Sequence, residues 1–213
     1  MTHHSERREL SLIQQAIIPI AAFAAAGDQS KLAHAIEQGL DAGMSISTAK
    51  EVLVQLYAYA GFPRSINALA TLMAVLPTRA ERGIQDVEGA APSHLAPHGD
   101  ELLARGSANQ TKLVGQPVSG PLFEFAPAID TFLKTHLFGD IFERDNLDWQ
   151  SREVATVAML SAIAGAESQL RSHLLISINT GLDTRQLQQL VQILTELVGG
   201  ETAQRAHSVL AGL

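Results

Sequence analysis

The chain has 213 residues, enough to bury a sizeable core as one domain or as two fused small ones. Its formal net charge of −7 argues against general nucleic-acid binding, which needs a basic face, and its lack of cysteine excludes disulfides, thiol redox chemistry and cysteine-ligated metals. Apolar residues make up 46% and charged residues only 17%, so the composition predicts a subunit that hides part of its surface in a homo-oligomer.

The first apolar segment, "AIIPIAAFAAAG" (16–27), is too short to span a bilayer. Arg7 and Arg8 precede it as they would in a signal peptide, but Glu6, Glu9, Gln14 and Gln15 make a poor leader, and the segment belongs to a repeat. The expectation is a cytoplasmic protein with no membrane partner.

Displacing the chain by 138 positions against itself brings Gly27 onto Gly165, Gly43 onto Gly181 and Gly61 onto Gly199, with Leu32 on Leu170 and Ala68 on Ala206. These glycines fall where helices end. Each copy reads as the same series: a helix over 14–26 or 151–164, apolar on nearly every face; a second over 29–42 or 167–180; and a third opened by Ser45 or Asp183 and running to the next glycine. A fourth follows over 63–76 or 201–211. The predicted fold class is therefore all-α, with a first helical repeat over 1–80, a connector over 81–118 and a second repeat with an extra leading helix over 119–213.

"YAYAGFPRSINALATLM" (57–73) joins helix three to helix four of the first copy: Gly61 ends one, and Pro63 sits where a first turn tolerates a missing N–H. Tyr57, Tyr59 and Phe62 either pack in the core and at subunit contacts or form a pocket wall. The connector predicts short helices over 79–87 and 99–111. Its His94 and His98 have metal-ligand spacing, but Pro97 opposes the helix that would align them, so no metal and no cofactor are expected. A further helix is predicted over 128–142, followed by the turn "ERDNLD".

Polar residues with chemical potential cluster in and before the second copy: Arg144, Arg152, Glu153 and His173. Arg152 and Glu153 open an apolar helix, where a glutamate suits the dipole and an arginine does not. They form either a solvated first turn with an inter-helix ion pair or a charged site. His173 lies near the face that the second helix buries, as a hydrogen-bonded core residue or as a general acid or base. The first copy has Gln14, Gln15 and Ala35 at the matching positions.

The stretch "LFGDIFERDNLDWQSREVATVAMLSAIAGAESQLRSHLLISINTGLD", with its Phe-Gly-Asp, Arg, Leu-Asp, Arg-Glu, Gly, His and Gly-Leu, resembles the carboxymuconolactone decarboxylase family. The Tyr-Ala-Gly-Phe-Pro element of "VLVQLYAYAGFPRSINAL" is similar to the same family. The resemblance implies two tandem helical repeats of the alkylhydroperoxidase-D-like fold, a homotrimer, and a cofactor-free decarboxylase of a small carboxylated lactone from aromatic catabolism. It further implies that Arg144 and Arg152 hold carboxylate or lactone oxygens, that His173 protonates the enolate and that Glu153 orients it, with Tyr59 and Phe62 against the substrate. The dithiol peroxidase branch of the family is excluded by the missing cysteines; a non-catalytic ligand-binding or scaffold oligomer is the alternative. His173 follows Glu153 by one residue more than the resemblance implies, which rotates it about 100° unless the intervening turn absorbs the step.

Overall fold

In the computed structural model, which describes residues 9–213, the first helix starts on a reciprocal cap. The Ser11 hydroxyl accepts from the Gln14 N–H, and the Gln14 side chain accepts from the Ser11 N–H. Residues 1–8, which the sequence reading places in the first repeat and which include Glu6, Arg7 and Arg8, lie outside the described residues. Helix α1 (Leu12–Ala26) is buried continuously from Ile17 to Ala25. Helix α8 (Trp149–Ala162) is buried from Ser151 to Ser161. Two helices apolar on every face can be satisfied only at the centre of a bundle, and they pack on one another there.

Around them run α2 (Gln29–Asp41), α3 (Ile46–Gln55), α4 (Tyr57–Glu81), α5 (Gly99–Val114), α6 (Pro121–Phe125), α7 (Pro127–Phe132), α9 (Glu167–Asn179), α10 (Thr184–Ile193) and α11 (Gly200–Ala211). Two stretches, Leu133–Ile141 and Leu194–Val198, are π-helical. The described residues contain no strand, and no helix among them is long and apolar enough to cross a membrane.

Positions 138 apart correspond closely. The bounds of α2 and α9 match residue for residue under that displacement, as do those of α3 and α10. The glycine pairs Gly27 and Gly165, Gly43 and Gly181, and Gly61 and Gly199 all have positive φ. Gly61 departs from helical geometry altogether (φ 81°, ψ 161°), so the chain turns there between residues 57–60 and the helix that Pro63 begins. The halves also interlock. Helix α3 touches α8 as α10 touches α1, and the turn at 57–60 meets α8 as the π-turn at 194–198 meets α1.

Three elements differ from the sequence expectation. Helix α4 continues through Pro77 to Glu81, and no helix forms over 79–87. Arg79 accounts for the extension: it is buried, and in helical register its guanidinium pairs with Asp86 and Asp41, both at 2.8 Å. The chain then returns as an extended strap, where Val87 and Glu88 accept from the N–H groups of Ile46 and Ser47. The helix expected over 128–142 begins as α7 but widens into the π form, and α6 precedes it. The Asn109 amide of α5 donates to the Phe138 carbonyl at 2.9 Å, meeting a backbone acceptor of that segment.

Helix α5 approaches the π segment closely. A β-carbon on Gly106 would lie 1.7 Å from the Lys134 carbonyl oxygen, a backbone atom that cannot swing away. Gly106→Ala is therefore expected to cost about 1–3 kcal/mol, the usual cost of overpacking, read as a lower urea midpoint.

Candidate functional site

Helix α8 begins at Asp148, whose carboxylate accepts from the Ser151 N–H at 2.9 Å and from the Ser151 hydroxyl at 2.8 Å. That cap fixes the first turn, which carries Arg152 and Glu153, both with no exposed surface. Two buried charges at the start of an apolar helix require partners.

Glu153 finds His173. Its Oε2 lies 2.8 Å from His173 Nδ1, and His173 is only 8% exposed. The contact pairs Nδ1 with the carboxylate and leaves Nε2 without a hydrogen-bond partner among the described residues. Helix α8 ends at Ile163 in an extended conformation, and Gly165 turns the chain at φ 82° before α9 starts. Across that break the two side chains, twenty residues apart, meet. Tyr59, from the other half, sets its ring edge-on to the His173 imidazole, with centroids 5.6 Å apart. Burial, then the charge of Glu153, raises the Tyr59 pKa above that of a free phenol, so the hydroxyl remains protonated.

Arg152 finds a carboxylate that the sequence reading does not single out. Its Nη2 lies 3.1 Å from Glu51 Oε2, and it also donates to the Arg144 carbonyl at 2.7 Å. Its Nη1 donates to Gln55 at 3.1 Å. Arg144 clasps the same Glu51 through Nε at 2.9 and 3.1 Å and also through Nη2. Gln55 returns its amide to the Arg152 carbonyl and, at 2.7 Å, to the Thr156 hydroxyl. Thus Glu51 and Gln55, four apart on α3, face Arg152 and Thr156, four apart on α8. A polar i, i+4 pair on an otherwise apolar helix is the sequence signal for this contact. Arg144 and Arg152 thus bring two positive charges to one carboxylate.

The candidates thus separate. His173, Glu153 and Tyr59 come together, with Arg152 beside Glu153. Arg144 and Arg152 meet at Glu51. Phe62 turns outward, stacked on Tyr57 at 4.6 Å and largely exposed. Tyr57 leads to a second constellation absent from the sequence reading: its hydroxyl contacts His136 Nε2, and His136 Nδ1 lies 2.7 Å from Asp140. No group of three or more His, Asp or Glu side chains among the described residues is arranged to hold a metal ion. Beside Tyr59 lies a recess of about 360 Å³, walled also by Arg64, Ala25, Ala60 and Ile163.

Five buried side-chain polar atoms among the described residues lack a hydrogen-bond partner. Three of them, the Tyr59 hydroxyl, Arg152 Nε and Glu153 Oε1, belong to this site. No protein-family model matches this chain, and no curated protein matches it in sequence.

Burial by itself would raise the Glu51 carboxyl. The hydrogen bonds of Arg144 and Asn146 and the charges of Arg152 and Arg144 outweigh burial and hold it below the ordinary 4.5. A carboxyl depressed by folding stabilises the native state above its unfolded pKa, and that contribution is lost as pH falls through the folded value. Glu51→Gln should therefore cost about 3 kcal/mol at neutral pH, where it leaves two guanidiniums without their carboxylate. The gap between variant and wild type in urea melts should close as the pH drops below 4.5.

Proposed function

We propose that this chain is a carboxymuconolactone decarboxylase-like lyase: two tandem helical repeats of the alkylhydroperoxidase-D-like type carrying one cofactor-free site for a small carboxylated lactone. The observation that carries the reading is the buried Glu153–His173 pair, 2.8 Å apart, with Tyr59 against the imidazole. The repeat reading is supported by the paired glycines and the matching bounds of α2 with α9 and α3 with α10.

In this mechanism the C–C bond to the carboxylate breaks and its electron pair passes into an enolate conjugated with the lactone carbonyl. His173, protonated at both nitrogens, gives its Nε2 proton to the enolate carbon while Glu153 stabilises the imidazolium through Nδ1. Solvent then restores the proton. Arg144 offers the substrate carboxylate its Nη1, which bonds no described residue, and its side chain is 38% exposed. Arg152 acts through Glu51, adding positive potential and holding the first turn of α8. Tyr59 walls the recess and packs edge-on against His173. Phe62 and the exposed α4 residues Ile66 and Met73 support assembly into a homo-oligomer, for which a trimer is the proposed state.

A second reading, a non-catalytic scaffold of the same fold, is favoured by one feature: the recess is walled by Tyr59 and Arg64, and His173 is not among its lining residues. Incubation with 4-carboxymuconolactone, following CO2 release, separates the two. Turnover is expected in the wild type, with kcat about 10²–10⁴-fold lower in His173→Ala, and a fall in kcat at near-constant KM in Glu153→Gln. Turnover unaffected by His173→Ala would overturn the assignment of the acid. No turnover by the folded wild type, with only a loss of stability in His173→Ala, would favour the scaffold.

A further inference from the structure

A further cavity lies away from the histidine pair. It is an open groove of about 640 Å³ between α9, α10 and α11, with Leu175, Ile178, Val191, Leu210 and Leu213 on its walls and His207 at its rim. The first half shows what such a face does when covered. Leu40 and Val75, at the positions 138 before Ile178 and Leu213, are 6% and 7% exposed, whereas Ile178 and Leu213 are each 44% exposed. There the end of α4 and the strap through Glu88 cross α2 and α3, held by Arg79 to Asp86 and by the backbone bonds at Ile46 and Ser47. No described segment does this over α9 and α10.

The same chain also exposes apolar side chains on two short helices. On the short helices α6 and α7, Leu122, Phe125, Ile129 and Phe132 are all exposed, Phe125 at 89%. Ala126, at φ −132° and ψ 71°, separates the two helices, so the four side chains form two pairs, each three residues apart on its own helix. Neither helix has a buried residue. Four such side chains offer roughly 500 Å² of apolar surface, within the range of patches that mark interaction sites and most of one partner's share of a standard interface.

We propose that the α6–α7 arm of one protomer docks into the α9–α10–α11 groove of a second copy of this chain. Two different surfaces meet, so the contact is heterologous, and such contacts close into a ring where the rotation permits. The ring accommodates the trimer of the functional reading above, yet the proposal does not depend on the chemistry at His173. Charge is compatible: Glu124 on the arm faces solvent, and the exposed Arg185 of α10 lies one residue from the groove residue Thr184.

The absence of cysteine makes the test direct. Phe125→Cys and Ile178→Cys are purified separately, mixed and oxidised. A disulfide-linked heterodimer should form in the mixture and exceed the homodimer of either variant alone at least tenfold. In parallel, Phe125→Asp and Ile178→Asp should each shift the mass in light scattering from an oligomer to the 22.8 kDa monomer while the helical circular dichroism is kept. A monomeric wild type, an oligomer that survives both aspartate variants, or cross-linking no greater in the mixture than in the separate samples would overturn the proposal. Because the cysteine variants are scored on folded wild-type-like protein, misfolding of an aspartate variant does not decide the matter. Loss of assembly with CO2 release retained would separate this inference from the lyase reading.

Discussion

A single buried carboxylate, Glu51, ties the two halves of this molecule together. It lies on α3 of the first half and binds the guanidiniums of Arg144 and Arg152, which flank the start of α8 in the second. Burying Glu51 and Arg152 is costly, and the hydrogen bonds around them make the arrangement tenable: Gln55, the Arg144 carbonyl and Thr156 complete the set. Such a contact is a poor source of net stability and a strong source of register. Were α8 rotated by one residue, Arg152 would leave Glu51 by about 100° and Glu153 would leave His173 with it. The geometry of the Glu153–His173 pair is therefore inherited from a contact in which neither residue takes part.

What could be read from the sequence was punctuation. Glycines at a constant displacement located the helix ends in both halves, because a positive φ at the end of a helix is a local demand that glycine meets without Cβ strain. The capping residues Ser45 and Asp183 marked the starts of α3 and α10 for the same local reason. The π-helical form of 133–141 carried no such mark. It depends on what α5 presents to it, including the bare backbone at Gly106 and the amide of Asn109. Likewise Arg79 extends α4 through a proline by reaching acids that lie far from it in sequence or beyond the helix end.

The site divides along the same line. His173 and Glu153 were legible as titratable groups beside apolar faces and Tyr59 as a core residue or pocket wall, and the structure brings the three together across the two halves. The partner of Arg152 was not, since Glu51 stands among Ala49, Val52 and Leu53 as an ordinary helical glutamate until Gln55 is seen one turn later on the same face. The halves also differ at corresponding positions: Ala35, Gln15 and Leu197 stand where the second site has His173, Glu153 and Tyr59. A recess of about 390 Å³ lies there, bounded by Ala35, His34 and Leu197. The same backbone thus carries a titratable pair on one side and none at those positions on the other.

The three unpartnered atoms of the site bear on what that asymmetry is for. A buried donor or acceptor without a partner costs about 1–3 kcal/mol, and a core selected for stability alone would replace it by an apolar group. Here Arg152 Nε, Glu153 Oε1 and the Tyr59 hydroxyl concentrate that cost around one imidazole, whereas the corresponding place in the first half has Gln14, Gln15 and Leu197. Glu153 meets His173 only at Nδ1, so the second glutamate oxygen and the Tyr59 hydroxyl add unpartnered polar atoms at one titratable pair while the helices around them are regular.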